Sequence, residues 1–511
     1  MWLALDREEG TLQQRLYAAL RRAILDGTLR PGARLPATRV LARELGVARN
    51  TAIAAYEQLA DEGYVAARTG AGTRVESVLP DALPDPGRLS AGRTGVPGRS
   101  RAGAASRSAP KLVPPGFALG RGAGAAPRLS AHGERIVAGA PRRGVAWGMP
   151  RRHLPYDFRY GEPAYGDLPL ETWWRLLGRR ARRASGGRLA YGEPAGAVEL
   201  RAALAGYLRR ARGVVAEPEQ ILVTRGAQQA IDLVARLLVD PKARVALEEP
   251  HYTGFSLALA AYGARLVPIP VDDEGLDVAA LERERGVRGV FATPSHQFPT
   301  GGVLSLERRL RLLAFAERCD AFVLEDDYDG EYRYEGRPLP SLQSLDRAER
   351  VLYVGTASKL LFPSLRIGWL VVPEPLARAF TLAKAYTDTG SATLEQLALA
   401  DLIEGGHLER HVRRSRVRNA ARREALRRAV ERHLAGRAVL AGTRAGLHGL
   451  LWIPGLAASR EAELRREAAA RGVGIYPVHP FYARAPRQAG YVLGYASLEE
   501  AAIEEGVARL A

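Results

Sequence analysis

One of the four lysines in this 511-residue chain, Lys359, follows an apolar segment in company with two hydroxyl residues. The segment VLYVG runs into Thr356, and Ser358 directly precedes the lysine. A second apolar segment, AFVLE, runs into Asp326 and Tyr328. An amine that loses its hydration is deprotonated more readily and becomes a nucleophile. The grouping of acid, phenol, hydroxyl and amine therefore indicates chemistry at Lys359.

The order of elements explains how these residues could meet. From about Tyr156, short apolar segments alternate with segments of helical periodicity, which predicts an α/β domain with a mainly parallel sheet. In open sheets of this kind ligands bind at the carboxyl ends of the strands. The segment ILVTRG ends at Gly226 and Ala227, where the first amides of a helix could bind phosphate. We therefore expect the residues that follow these strands to converge on one edge.

Each of these features can also be explained without a functional role. The acidic run EDDYDGE could be a solvated loop or a divalent-metal site, Lys359 a surface lysine, and GAQQA an ordinary helix start. Metal binding is the weaker functional reading, because no histidine near the acidic run completes a recognisable set of ligands.

The first 76 residues have a different pattern. Leu12, Leu16, Ala19, Leu20 and Ala23 recur at helical spacing and Asp26-Gly27 ends the helix. A short helix capped by Thr38 and ending at Gly46 is then followed by a second helix through Ala60, which is typical of a helix-turn-helix. The predicted buried seam consists of Leu41, Leu45, Ala52, Tyr56 and Leu59.

Polar and basic residues remain outside that seam. Arg49, Asn50 and Thr51 stand at the start of the second helix, where they could reach base edges in the major groove of DNA. Arg39 and Arg68 are predicted to contact phosphates, and the glycine turn around Gly70 joins two short strands into a β-wing that approaches the backbone. The alternative is a helical hairpin that packs on the larger domain and never meets DNA.

Composition divides the chain into three parts. Eight prolines and nine glycines fall within residues 77–127, and no apolar period runs through that stretch. We predict a DNA-binding domain over residues 1–76, a flexible linker rich in Gly, Pro and Arg over residues 77–155, and an effector domain over residues 156–511.

The overall composition excludes several classes of protein. With 47% hydrophobic and 25% charged residues the chain can bury a core. Its single cysteine, Cys319, argues against an oxidising compartment, and the acidic N-terminus and lack of a long charge-free segment argue against membrane insertion. We expect a cytoplasmic protein. The net charge of +18 identifies no partner by itself, because arginine is used throughout in place of lysine.

Both halves resemble known families. The first seventy-five residues resemble the winged helix-turn-helix of GntR-type transcription factors, through the motifs LPATRVLA, LGVARNT and GYVAARTGAGTRV. The larger part resembles fold-type I pyridoxal phosphate enzymes of the aminotransferase type, and the fusion of the two is similar to MocR-type regulators. The matching segments are LAYGEPAG (189–196), TRGAQQAIDL (224–233), EEPHY (248–252), TPSHQFPTG (293–301), LEDDYDGEYRY (324–334), GTASKLLFPSLRIGW (355–369) and AGLHGL (445–450).

The resemblance implies a role for each residue around the cofactor ring. Lys359 would be the catalytic lysine that forms a Schiff base with pyridoxal 5'-phosphate. Asp326 would pair with the protonated pyridine nitrogen, Tyr328 would hydrogen-bond the ring oxygen, and Tyr252 would stack on the ring. Tyr191 would reach the phosphate of a neighbouring subunit, which implies a homodimer.

The phosphate would be held by a second set of residues. The resemblance implies that Thr356, Ser358 and Arg366 join the amides of Gly226 and Ala227 around it, with the arginine as a bidentate partner.

Two positions depart from the aminotransferase pattern. Phe298 stands where these enzymes have the asparagine of an N-P-T-G turn, and Val492 stands where many have the arginine that clamps the substrate carboxylate. Arg484 or Arg487 could substitute for that arginine.

Three functions follow from these observations. The first is a transcription regulator that binds a duplex DNA operator and pyridoxal phosphate and senses an amine, an amino acid or the cofactor itself, with at most a transaminase half-reaction. The second is a working aminotransferase with an appended DNA-binding domain. The third is a DNA-binding protein with a cofactor-free scaffold, which leaves the set of Lys359, Asp326, Tyr328 and Arg366 unexplained.

Overall fold

A computed structural model describes residues 11–61, 63–68, 72–76, 128–139, 154–335 and 340–511. The chain divides into two compact units, Met1–Gly122 and Ala123–Ala511. Within the described ranges no helix is both long enough and apolar enough to cross a bilayer.

The first unit is a three-helix domain with a two-stranded wing. Its elements are α1 (Leu12–Leu25), α2 (Thr38–Leu45), α3 (Arg49–Asp61), β1 (Val65–Arg68) and β2 (Gly72–Val75). The strands β1 and β2 are antiparallel, with Val65 opposite Val75. The winged helix-turn-helix predicted from the sequence is confirmed.

Apolar spacing along the helices builds the core of this unit. Leu41, Ala52, Tyr56 and Leu59 are buried as predicted, while Leu45 is partly buried at the edge of the same cluster. The predicted cap of α2 is wrong, because Ala37 occupies the N-cap position and Thr38 is already helical. Gly46 ends α2 in the left-handed conformation, with φ of 67°, which turns the chain toward α3.

The second unit begins with one helix and a short strand and then alternates helices and strands. Its elements up to the last strand of the large sheet are α4 (Ala131–Ala138), β3 (Tyr156–Asp157), α5 (Leu170–Arg182), α6 (Gly186–Leu189), α7 (Val198–Arg212), β4 (Ile221–Thr224), α8 (Ala227–Leu238), β5 (Arg244–Glu249), α9 (Thr253–Ala261), β6 (Arg265–Asp272), β7 (Gly275–Leu276), α10 (Val278–Glu282), β8 (Val287–Ala292), α11 (Leu306–Arg318), β9 (Phe322–Asp326), α12 (Leu342–Leu345), β10 (Val351–Thr356) and β11 (Gly368–Val371).

The remaining elements form the C-terminal part of this unit. They are α13 (Glu374–Asp388), α14 (Thr393–Glu404), α15 (His407–Leu434), β12 (Val439–Ala441), β13 (His448–Ala457), α16 (Glu461–Ala470), β14 (Val473–Gly474), β15 (Tyr476–Pro477), β16 (Gln488–Gly494) and α17 (Glu500–Leu510). Strands β12, β13, β16 and β15 form an antiparallel sheet in that order. The sequence analysis did not predict this second sheet.

Eight strands form the large sheet, in the order β4-β11-β10-β9-β8-β5-β6-β7. Strands β10, β9, β8, β5 and β6 are parallel to one another. Strand β11 is antiparallel to both β10 and β4. The mainly parallel α/β sheet predicted from the sequence is confirmed.

The central strands are buried on both faces, which explains their continuous apolar sequences. In β10, Tyr353 belongs to the core on one face of the sheet, and Leu352 and Val354 belong to the core on the other. Trp369 and Leu370 of β11 divide in the same way. Successive side chains of a strand point to opposite faces, so an apolar run with no polar alternation fills two cores.

Helix α4 lies in the range that the sequence analysis assigned to a linker. Ser130 caps its first turn, and its Arg135 donates a hydrogen bond of 2.8 Å to the carbonyl of Ala261 at the end of α9. His132 lies 2.8 Å from the same carbonyl and stacks near Tyr262. These contacts, made only in the folded unit, anchor a segment whose own apolar pattern is weak.

Candidate functional sites

The carboxyl ends of β9 and β10 bring the predicted residues of the large unit together. The two strands are parallel, and Asp326 lies opposite Val354, two residues before Thr356. Lys359 follows on the next turn and donates a hydrogen bond of 2.6 Å from Nζ to the carbonyl of Gly161. The charges of Asp326 and Asp329 both act on this amine.

Asp326 is a buried acid with unused hydrogen-bonding capacity. Its Oδ1 is buried without a hydrogen-bond partner among the residues that the structure describes. Burial raises the pKa of Asp326 to about 8, and the neighbouring carboxylate of Asp327 adds to this shift. A buried carboxylate in this state binds a proton or a cationic N–H group strongly.

Lys359 is poised to lose its proton. Burial lowers the pKa of Lys359, and the carboxylates of Asp329 and Asp326 only partly oppose the shift. Gly161 must be glycine at this point, because its φ is +79° and a Cβ there would lie 2.9 Å from Lys359 Nζ. The structure thus holds the amine against a backbone carbonyl, close to a buried acid.

A turn after β4 forms a cradle of backbone amides and one guanidinium. Gly226 is the N-cap of α8, with φ of +88°, and Ala227 is the first residue of that helix. A Cβ on Gly226 would lie 3.0 Å from a nitrogen of Arg366. Arg366 donates to the carbonyl of Arg225 and so stays beside the start of α8. A helix N-terminus with an arginine beside it is suited to an anion.

The two hydroxyls predicted to join this cradle are adjacent and buried. Thr356 Oγ1 donates to Ser358 Oγ at 3.0 Å, and the amide of Ser358 donates to Thr356 Oγ1. Tyr191, by contrast, is 92% exposed, so on a single chain its ring does not pack into the pocket.

Aromatic and aliphatic side chains pack beside Tyr328. The Phe298 ring contacts Tyr252 and Tyr328 edge-on, with centroids 6.2 and 6.1 Å away. Phe298, Leu450, Val478, Phe481 and Val492 form one buried apolar cluster, which we call the apolar wall. Arg484 and Arg487, the arginines considered as substitutes for a carboxylate clamp, are both exposed.

Sequence analysis missed a group of two histidines and an acid. His296 Nδ1 lies 2.9 Å from the hydroxyl of Tyr328 and 3.1 Å from Oδ2 of Asp329. Ligand atoms of His296, Asp329 and His448 lie within 4.8 Å of one another. The statement that no histidine approaches the acidic run is therefore wrong, because both histidines come from distant segments of the chain.

The protonation of these histidines differs. Burial lowers the pKa of His296, but the carboxylate of Asp329 more than offsets this and the net pKa lies above its ordinary value. Burial, with a smaller contribution from His296, holds the pKa of His448 well below its usual range. His448 Nε2 lies 3.3 Å from the carbonyl of Pro299, and His296 is engaged by Asp329 and Tyr328.

The acidic run is not a solvated loop. Asp327 pairs with Arg212, whose Nε lies 2.6 Å from Oδ2, and it accepts a hydrogen bond of 2.7 Å from the hydroxyl of Tyr353. Glu325 accepts two backbone amides at the start of α12, and Glu331 accepts the hydroxyl of Tyr207. Each of these acids is buried and has its own donor.

The predicted DNA contacts lie on the first unit. Arg39 is exposed in the first turn of α2, and Arg49 and Asn50 are exposed at the start of α3, with Thr51 partly buried beside them. Arg68 ends β1. Gly70 lies outside the described residues.

Comparison with known proteins assigns both units. Residues 12–75 match the bacterial regulatory proteins of the gntR family, and residues 157–510 match the class I and II aminotransferases. The probable rhizopine catabolism regulatory protein MocR of Rhizobium meliloti is 39% identical over 509 residues, covering 99% of this chain and 94% of its own length. The chain belongs to the MocR-type transcription regulators.

Two further comparisons support this assignment. The regulator TauR of Rhodobacter capsulatus is 34% identical to this MocR-type regulator, covering 98% of the chain and 96% of its own length. A solved structure of LysN, an α-aminoadipate aminotransferase from Thermus thermophilus in complex with N-(5'-phosphopyridoxyl)-L-leucine, is 31% identical. It covers 75% of the MocR-type chain and 96% of its own, with a TM-score of 0.67. The first unit of this regulator is thus a DNA-binding domain of GntR type, and the second has the fold-type I architecture.

Loss of Arg212 should strongly destabilise the second unit. Arg212→Met leaves the buried carboxylate of Asp327 without its cation, at an expected cost of about 3–5 kcal/mol. Denaturant unfolding followed by tryptophan fluorescence would measure it, because Trp173, Trp369 and Trp452 all lie in this unit. The matched control is Arg427→Met, which removes an exposed pair with Glu424 and should leave the stability nearly unchanged. Similar small losses for both variants would contradict a structural role for the pair.

The buried acid Asp326 should make the ligand-free protein less stable as the pH rises. Its pKa of about 8 in the folded chain lies above the ordinary value of 3.8, so the folded state binds the proton more tightly than the unfolded state. The stability contributed by that proton is complete below pH of about 4 and is lost as the pH rises through about 8.

Asp326→Asn should therefore make the ligand-free protein more stable than the parent at pH 9, by about 1–3 kcal/mol, with no difference at the lowest pH that both tolerate. Denaturant titrations of both proteins across this range would test it. A variant that is less stable than the parent at pH 9 would show that the carboxylate already has a partner.

Proposed function

We propose that this MocR-type regulator binds pyridoxal 5'-phosphate through Lys359 and changes its affinity for an operator when an amine-bearing effector enters the same site. The observation that carries the proposal is the buried Oδ1 of Asp326, which has no partner in the described chain and lies in the same pocket as the amine of Lys359. A buried carboxyl oxygen without a donor can accept a hydrogen bond from a cationic N–H group, and the pyridinium nitrogen of this cofactor would supply one.

The remaining residues fit the other parts of that molecule. The amides at the start of α8, the guanidinium of Arg366 and the hydroxyls of Thr356 and Ser358 offer donors for a phosphate. The hydroxyl of Tyr328 would donate to the ring oxygen, and Tyr252 would lie against the ring. When bound, pyridoxal phosphate supplies an aldehyde that combines with amines and a ring that accepts electron density.

Support for the cofactor also comes from the relatives. LysN, whose structure was solved with a phosphopyridoxyl derivative of leucine, shares the fold over 75% of this chain. The match to class I and II aminotransferases covers the same unit.

The regulatory part of the proposal rests on the first unit. Arg49 and Asn50 are exposed at the start of α3, which supports a recognition role for this helix. Arg39 and Arg68 would contact phosphates. One winged helix makes few contacts, so useful affinity calls for two copies. We infer a homodimer, in which the 92% exposed Tyr191 reaches the partner's cofactor.

An effector regulates only if it binds two conformations with different affinity. Release of a product is then no part of the function. The second candidate, a full aminotransferase, is favoured by the match to that family over residues 157–510. Rapid turnover also needs a clamp for the carboxylate of an amino acid and of a keto acid, and the apolar wall at Val492 and Phe298 provides none.

A panel of amines and amino acids, each with and without keto acids, separates the two functions. The regulator hypothesis expects a change in operator affinity with at most one turnover per site. Sustained turnover with no effect on DNA binding would favour the aminotransferase.

The purified protein should be yellow, and Lys359→Ala should abolish that absorbance. The amine at position 359 is the one beside Asp326. Of the other lysines that the structure describes, Lys242 is exposed and Lys384 pairs with Asp388. The matched control is Lys242→Arg, which removes an exposed lysine elsewhere in the same unit and should leave the absorbance unchanged. Colour that persists in Lys359→Ala after dialysis would show that another group holds the cofactor.

Arg49→Ala should weaken binding to duplexes selected by the full chain from a random library by about 1–3 kcal/mol. The loss on unselected duplex should be smaller, because Arg49 is expected to contact a base. Titrations by fluorescence anisotropy at two salt concentrations measure both, and affinity should fall steeply with salt. The control is Arg22→Ala, an exposed arginine on α1 away from the helix-turn-helix. An equal loss on selected and unselected DNA would make Arg49 a phosphate contact.

A further inference from the structure

The apolar wall adjoins the proposed cofactor pocket. Val492 in β16 is fully buried, opposite Leu450 of β13 and Tyr476 of β15. The rings of Phe298 and Phe481 meet edge-on with centroids 4.9 Å apart. Tyr252 and Tyr328, both assigned to the cofactor, pack against the same cluster. The wall and the proposed cofactor pocket are therefore continuous.

An anion beside this wall would have no partner from it. The side chains of the wall carry no donor, and a carboxylate moved from water to such a surface loses hydration without compensation. Arg484 and Arg487 are exposed in the segment before β16. The backbone amide of Arg484, rather than its guanidinium, donates to Glu249 at 3.0 Å.

The carboxylates near Lys359 have partners of their own. Three of them act on its amine, those of Asp329, Asp326 and Glu162. Asp329 is paired with His296 at 3.1 Å and Glu162 with Arg159 at 3.2 Å, and Asp326 is the acid proposed to pair with the cofactor ring. Selection between ligands at this site therefore depends on the apolar wall rather than on net charge.

One further arginine lies close to the wall, and it is already engaged. Arg159 Nε lies 3.2 Å from Oε1 of Glu162, and its guanidinium stacks over the ring of Tyr476 at 5.9 Å from the centroid. Tyr476 in turn donates to Asp157 at 2.8 Å.

From the fully buried Val492 and the aromatic cluster around Phe298, we propose that the effector is a primary amine without a carboxylate on the amine-bearing carbon. Val492 and Phe298 are the residues that select it. This inference rests on the proposed function, because it assigns the ligand class of the same site.

The test compares ligands that differ only in that carboxylate. Each amino acid is paired with its decarboxylated amine: L-phenylalanine with phenethylamine, L-leucine with 3-methylbutylamine, L-serine with ethanolamine, and L-lysine with cadaverine. Isothermal titration calorimetry on the full chain loaded with pyridoxal phosphate gives the dissociation constants, and anisotropy on selected duplex DNA gives the effect on operator binding. Neither readout depends on turnover.

In every pair that binds, we expect the amine to bind at least tenfold more tightly than the amino acid and to be the member that changes operator affinity. Tighter binding of the amino acids would overturn the proposal, and so would a loaded protein that binds none of the amines. A protein that holds no pyridoxal phosphate would instead overturn the proposed function, which its absorbance shows before any ligand is added.

Substitutions at Val492 and Phe298 test whether these residues select the ligand. Val492→Arg should reverse the preference within a pair, while Val492→Leu, which keeps the wall apolar, should preserve it. Because position 492 is fully buried, Phe298→Asn provides a second variant at the edge of the wall, with Phe298→Leu as its control. Phe298→Asn should reduce the ratio of the dissociation constants of the amino acid and its amine at least threefold. An unchanged ratio in both Val492→Arg and Phe298→Asn, each folded by its fluorescence spectrum, would remove the selective role of the wall.

Discussion

The buried ion pair between Arg212 and Asp327 holds together the part of the molecule on which the rest depends. Arg212 ends α7, and besides the carboxylate it reaches the hydroxyl of Ser295 at 2.9 Å and the carbonyl of Gly330 at 3.2 Å. One guanidinium thereby joins a helix, the loop after β8 and the loop after β9. These two loops carry Phe298, Tyr328 and Asp329, so one cation links segments that hold several groups of the site. A pair this deeply buried costs hydration, and its value lies in fixing geometry.

The remaining acids of the run show how a protein can bury several carboxylates within a few residues. Glu325, Asp327 and Glu331 each receive hydrogen bonds from donors on separate elements, whereas Oδ1 of Asp326 is left without one in the described chain. The lack of a donor at one position in a network that satisfies its neighbours is informative. In the proposed function, this is the place where the cofactor supplies the missing donor.

The wall formed by Val492, Phe298 and their neighbours bears on the choice between the two proposed functions. Turnover requires that two different substrates be held in one pose, which needs a fixed partner for the group they share. A sensor needs only that its ligand bind one conformation better than another. In the proposed function an apolar surface suits the second requirement and an amine ligand, and the exposed start of α3 would provide the contact with DNA.

The sequence by itself determined the architecture of both units and most of the site. The spacing of apolar residues predicted helices α1 to α3 and strands β4, β5, β6, β8, β9 and β10. Buried parallel strands and amphipathic helices have sequence patterns that can be recognised without tertiary contacts. Residues at strand ends could be assigned to one edge for the same reason, which placed Asp326, Tyr328 and Lys359 together. The antiparallel strand β11, the docked helix α4 and the buried state of the acidic run left no local signal that predicted them. Only the tertiary structure brought His296 and His448 to Asp329, put Arg212 against Asp327 and brought Phe298 and Leu450 into one cluster with Val492. Each of these contacts joins residues more than thirty positions apart and depends on how the sheet and helices pack.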